Sequence, residues 1–128
     1  MAHVTSDDYS KAVKQWYIAH RATLHAGILV EPSNAGLRDL CLLLLKNGLA
    51  NADESVFIHF FKVGKAEDLQ RTIERFDIER FRPVLNFLKD VSQRSDVKNL
   101  NMIGVMIDFP KRPLPRFFQS GQAVATEL

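Results

Sequence analysis

The chain reads as an all-α protein, a compact bundle of five or six helices carrying an extended, proline-rich strap towards its C-terminus. Three observations predict this. Apolar residues recur at three- and four-residue spacing over most of the length, the signature of one buried helix face. Cap residues and glycines punctuate those stretches at ordinary helix lengths. The one run that could be a buried strand, Met102 to Ile107, has no second strand to pair with, so it too is assigned to a helix.

The first helix is expected over roughly 6–27, opening at Ser6 with Asp7 and Asp8 suiting a helix N-terminus. Its inner face is Tyr9, Val13, Trp16/Tyr17, His20, Leu24 and Ile28. Pro32-Ser33-Asn34 breaks the chain and caps a second helix over about 35–47, which Gly48 can end in the left-handed conformation. Its run Leu40 to Leu45 is apolar nearly all round, which predicts a central position. A third helix over about 52–63 carries Val56, Phe57, Phe60 and Phe61 and ends at Gly64. Leu69, Ile73 and Phe76 mark a short fourth helix; Ile78, Phe81, Leu85, Leu88 and Val91 mark a fifth. The echo Glu74-Arg75-Phe76, Glu79-Arg80-Phe81 has an offset of five, which predicts a bend near Asp77, and Pro83 then falls early in the fifth helix. Ser95-Asp96 caps a sixth, with Leu100, Ile103, Met106 and Ile107 inward. Residues 1–109 are thus read as one helical domain, 110–119 as a strap packed on it, and 120–128 as a mobile tail.

With 46% hydrophobic and 25% charged residues in 128, the chain can bury a core of its own and is not a disordered class. A single cysteine, Cys41, excludes a disulfide framework or a multi-cysteine metal site within one chain. No apolar run approaches the roughly 20 residues of a membrane span, and the opening residues lack the cationic start and apolar block of a leader. A cytoplasmic protein is expected. The net charge of +2 does not by itself call for nucleic acid. The halves differ, however: residues 1–64 hold six Lys/Arg against six Asp/Glu, and 65–128 hold eleven against nine.

Motifs for chemistry are scarce. His20 and His25 are five apart, whereas a helical metal pair needs three or four. Cys41 lies within leucines, where a thiol is inert. The glycines are isolated, so there is no phosphate- or dinucleotide-binding loop. Acids such as Asp53-Glu54 and Glu67-Asp68 read as first-turn residues favoured by the helix dipole. Arg21-Ala22-Thr23-Leu24-His25 resembles the Arg…His pair of the HEPN ribonucleases, but is one residue short and has Ala22 where that family has a polar residue. No metal or cofactor is expected. Any catalytic site would have to assemble from dispersed residues such as His20, Arg21, His25, Asp39 and Glu54.

The densest stretch is Asp108 to Phe118 (DFPKRPLPRFF). Three prolines predict an extended or polyproline path over the surface. Phe109, Leu114, Phe117 and Phe118 would pack on the body while Lys111, Arg112 and Arg116 face water. Pro110-x-x-Pro113 also matches a minimal polyproline ligand, and Leu114-x-x-Phe117-Phe118 resembles the apolar half of a sliding-clamp-binding peptide, with Lys111 in the place of its glutamine.

The functional expectation is a non-catalytic helical module, an adaptor or regulator, that binds another protein or itself. Partner contacts are expected through Lys111, Arg112, Leu114, Arg116, Phe117 and Phe118, and self-association through those aromatics or Phe57, Phe60 and Phe61. The alternative is a nucleic-acid-binding regulator using Arg71, Arg75, Arg80, Arg82, Lys111, Arg112 and Arg116. A small enzyme with a dispersed site is the second alternative.

Overall fold

The computed structural model describes residues 5–90 and 95–119; residues 1–4, 91–94 and 120–128, and with them Val91 and the expected tail, lie outside it. Every regular element among the described residues is helical. They are α1 (Ser6–His20), α2 (Asn34–Asn47), α3 (Asn51–Phe61), α4 (Leu69–Glu74), α5 (Arg82–Leu88), α6 (Val97–Met106) and a last short helix, α7, at 114–119. Tight helical turns at Leu24–Gly27, Ala66–Asp68 and Ile78–Phe81 link them.

α1 begins one residue earlier than expected in its cap. Thr5, not Ser6, is the N-cap, and its side chain and that of Asp8 satisfy each other's backbone N–H groups in a capping box. The helix also stops short, at His20 rather than near 27. His25 and Ala26 take positive φ of 49° and 57°, which turns the chain back on itself. Long-range hydrogen bonds hold that reversal: the Tyr17 hydroxyl donates to the Leu29 carbonyl at 2.6 Å, and His25 Nε2 lies 2.8 Å from the Met106 carbonyl. Leu29 is buried as a result, while Ile28, expected inward, is exposed.

Centrality falls on α6, not α2. Met102 to Ile107 is buried without interruption because α1, α2, α3 and α5 all pack around that helix. α2, capped by Ser33 onto the Gly36 N–H, buries only Leu37, Leu40 and Cys41 and leaves Leu43 exposed. An all-round apolar run therefore found a helix with one open side in α2 and a surrounded helix in α6.

α3 ends at Lys62, which itself adopts the left-handed conformation (φ 56°, ψ 46°), two residues before the glycine expected to do so. Phe57, Phe60 and Phe61 face inward and join Phe76 and Phe81 in an aromatic cluster; the two echo phenylalanines stack edge-on at 5.0 Å. The bend is where the echo placed it, with the Asp77 carboxylate accepting from the Glu79 N–H and Pro83 in the first turn of α5. These phenylalanines are spent in the core, so they are not the self-association surface the sequence suggested.

After α6 the chain turns at Asp108 (φ 54°), with the Phe109 N–H returning to the Gly104 carbonyl at 2.9 Å. The strap then crosses the bundle, but it does not stay extended. From residue 114 it winds into α7, whose first bonds run from Arg116 and Phe117 N–H to the Pro113 carbonyl. Pro113 and Pro115 stand where helical N–H groups have no partner anyway, so they open a helix rather than block it.

Candidate functional site

The strap is bolted down by residues from three helices. The Arg112 guanidinium donates two parallel bonds to Asp53 of α3, Nε to Oδ1 at 2.9 Å and Nη2 to Oδ2 at 2.8 Å. Its remaining nitrogen, Nη1, donates to Asp108 Oδ1 at 2.9 Å and to the Phe109 carbonyl at 2.8 Å. The bonds to Asp53, reinforced by Asp108, push the Arg112 pKa up against the opposing effect of burial. Asn101 of α6 closes the next link: its Oδ1 accepts from the Tyr9 hydroxyl at 2.9 Å and from the Leu114 N–H at 3.0 Å. Gly104 makes room for this, since a Cβ there would lie 3.2 Å from Arg112 Cβ and 3.4 Å from the Tyr9 hydroxyl. Phe109 is buried and Phe117 packs 5.2 Å from Tyr9 and 6.3 Å from Phe109.

That geometry sorts the expected partner contacts. Arg112, expected to face water, is tied inward. Leu114, Phe117 and Phe118 are half-buried, whereas Lys111 and Arg116 are exposed. The clamp-type peptide would need Leu114 and Phe117 to leave the body. Of the polyproline pair, Pro110 is exposed and Pro113 faces a groove described below.

The basic residues of the nucleic-acid alternative fall into two groups that no hydrogen bond or ion pair joins among the described residues. Arg71 pairs with Asp68 and Arg82 with Glu79, each at 2.8 Å, Arg80 lies over the Phe76 ring, and Arg75 is exposed. Lys111 and Arg116 belong to the strap.

The residues of a dispersed catalytic site are not brought together. His20 stacks on Trp16 at 3.8 Å, Arg21 sits over the Tyr17 ring, His25 faces the Met106 carbonyl, and Asp39 lies 3.5 Å from Arg38. Among the described residues none of these or Glu54 bonds to another. The Arg21…His25 pair is not even on one helix, because α1 ends between them. No group of three or more His, Cys, Asp or Glu among the described residues could hold a metal ion. Cys41 is fully buried and burial pushes its thiol far up, in keeping with an inert role. Among the described residues no helix is long and apolar enough to cross a membrane.

What the sequence did not signal is a groove on the outer side of α3. Ala52, Ser55, Val56 and His59 form one wall, Lys98 and Asn101 of α6 the other, and Pro113 and Pro115 of the strap close one end around about 300 Å³. A second hollow of about 580 Å³ adjoins it, sharing His59 and Lys98 and lined further by Ile58, Lys62, Val63 and Gly64. The spacing 52, 55/56, 59 is a second helical stripe beside the phenylalanine face, and could have been read as such. A larger cleft of about 730 Å³ lies between α1, the turn before α2 and the end of α5. Ile18 and Val30 are exposed there, but Lys14, Arg21 and Lys89 mix with Glu31 and Asp90, so it favours no single charge.

No protein-family profile, no curated protein and no solved structure matches the chain.

Proposed function

We propose that the protein is a non-catalytic, cytoplasmic interaction module whose α3/α6 groove takes a peptide segment of a partner protein. One observation carries this reading: a largely apolar, open groove whose end wall is built by Pro113 and Pro115. Phe57, Phe60 and Phe61 are already in the core, and the strap with the half-buried Phe117 and Phe118 is held by Asp53 and Asn101 rather than free to act as a ligand. A partner segment laid along α3 would cover Val56 and the strap prolines, burying apolar surface at about 25 cal/mol per Å² without asking the core to open. The lone cysteine, buried and unpaired, suits a reducing compartment.

The test is a titration of the isotopically labelled full chain with fluorescein-labelled hexapeptide pools of acidic, basic and neutral charge, each half apolar, followed by backbone amide spectra. Saturable shifts at Ala52, Val56, His59 and Lys98 with any pool are expected. Shifts confined to other faces, or none at all, would sink the reading. A dT12 oligonucleotide in the same series tests the nucleic-acid alternative, whose mark is binding at Arg75, Arg80, Lys111 and Arg116 that collapses with salt.

A further inference from the structure

Resting on that reading, we infer that the groove selects an acidic segment: a partner peptide whose apolar side chains seat against Val56 and the strap prolines and whose carboxylates meet Lys98 and Lys62.

Charge is the reason. Among the described residues, the ionisable ones lining the two lobes are His59, Lys62 and Lys98, and no carboxylate lines either one. Asp96, two residues before Lys98, lines a separate hollow with Ser6, Asp7 and Ser10, and the acids that open α3 are turned elsewhere. Asp53 is buried and gives both oxygens to Arg112. Glu54 stands five residues before His59, about 140° round the helix at 100° per residue. Neither Lys62 nor Lys98 has a carboxylate within ion-pair distance among the described residues; Lys98 lies instead over the Phe60 ring, 5.9 Å from its centroid. Among the described residues, two lysines without acidic partners therefore flank an apolar trough, and the charges of a basic segment would be repelled there.

Length narrows the occupant further. From Ala52 to the end of α3 at Phe61 the groove follows the helix for about 14 Å at 1.5 Å per residue, which is the reach of about four extended residues. Val56, Pro113 and Pro115 lie at one end, Lys98 borders both lobes, and Lys62 lies at the other end. The segment should thus carry its apolar residues at one end and its acids at the other.

Fluorescence anisotropy with the hexapeptide pools tests this on the folded full chain. Each pool has Leu, Val, Phe or Pro at three successive positions, followed by Asp/Glu, Lys/Arg or Ser/Gln at three. The acidic pool should bind about tenfold more tightly than the neutral one, and the basic pool more weakly still. Lys62→Glu with Lys98→Glu should invert the order, while Lys11→Glu on exposed α1 should leave it unchanged. If the double reversal disturbs the melting curve, Lys98→Gln alone should still cost about fivefold for the acidic pool. Equal binding of all pools at the groove, or an order indifferent to Lys98, overturns the acidic preference and leaves the module reading standing. Displacement of the acidic pool by dT12 from these same lysines would make the ligand a nucleic acid and overturn the inference too. Absence of any binding at the groove fails both.

Discussion

Replacing Arg112 by Met removes the charge and the hydrogen bonds of the strap's anchor while keeping an aliphatic stem to lie over Gly104. The pair it breaks is largely withdrawn from water: the Arg112 side chain is 17% exposed and that of Asp53 is 12%. An ion pair on the open surface would be worth under about 1 kcal/mol. Removing one partner of a buried pair costs about 3–5 kcal/mol, because the charge left behind is stranded without its donors. Residual exposure of both side chains puts the expected loss at the low end, about 3 kcal/mol, which for a chain of this size lowers the melting temperature by about 10 °C. Urea unfolding followed by circular dichroism measures the loss. The fluorescence of Trp16, whose indole N–H donates to the Ile107 carbonyl beside Phe109, reports the strap locally. Asp53→Leu in the same chain should recover much of the stability, since no charge is then stranded. A cost below about 0.5 kcal/mol for Arg112→Met, or strictly additive single and double variants, would refute the view that this pair fastens the strap.

Gly104→Ala pits two effects against each other. Alanine is favoured over glycine inside a helix by about 1 kcal/mol, but its methyl would sit 3.2 Å from Arg112 Cβ, and overpacking of this kind costs about 1–3 kcal/mol, so net destabilisation is expected in the same urea assay. Phe117→Ala should cost about 1–3 kcal/mol, less than a fully buried phenylalanine; an unchanged melting temperature would mean that α7 is spare to the fold. Stability should fall on the alkaline side. Burial raises the folded pKa of Cys41, Tyr9 and Tyr17, so the native state keeps protons that the unfolded chain releases. Their contribution is complete below about pH 8.5 and declines as pH rises, by at most about 1.4 kcal/mol per unit for the fully buried Cys41 once its unfolded value is passed, and then, near 10, by less for the tyrosines. Melting temperatures at pH 7, 9 and 10.5 check this, and Cys41→Val should delay the onset; a flat profile would argue against burial of the three groups.

Much of the secondary structure could be read from local chemistry. Ser33 caps α2, Gly48 follows it with positive φ, Asp77 marks a bend, and Pro83 opens α5, because each of these effects acts over a few residues of chain. Local reasoning failed where a distant partner overrode it. α1 ends at His20 since Tyr17 and His25 find carbonyls at Leu29 and Met106, the second of these 81 residues away. Lys62 takes the left-handed role that composition assigned to Gly64. The strap showed itself as unusual in sequence, yet neither Asp53, 59 residues before Arg112, nor Asn101 was legible as its anchor. Asp53 looked like a first-turn acid and Asn101 like an ordinary helix residue. The groove is the furthest case, since its walls come from α3, α6 and two prolines of the strap, none of which is a motif alone. By itself the sequence determined that the protein is helical and roughly where most of the helices begin and end, and it left open whether the proline-rich segment packs as a strap or stays free as a ligand. Which helix is central, which arginine is buried and where a partner could lie were decided only by the tertiary structure, because burial and charge pairing depend on what surrounds a residue in space rather than on what precedes it in the chain.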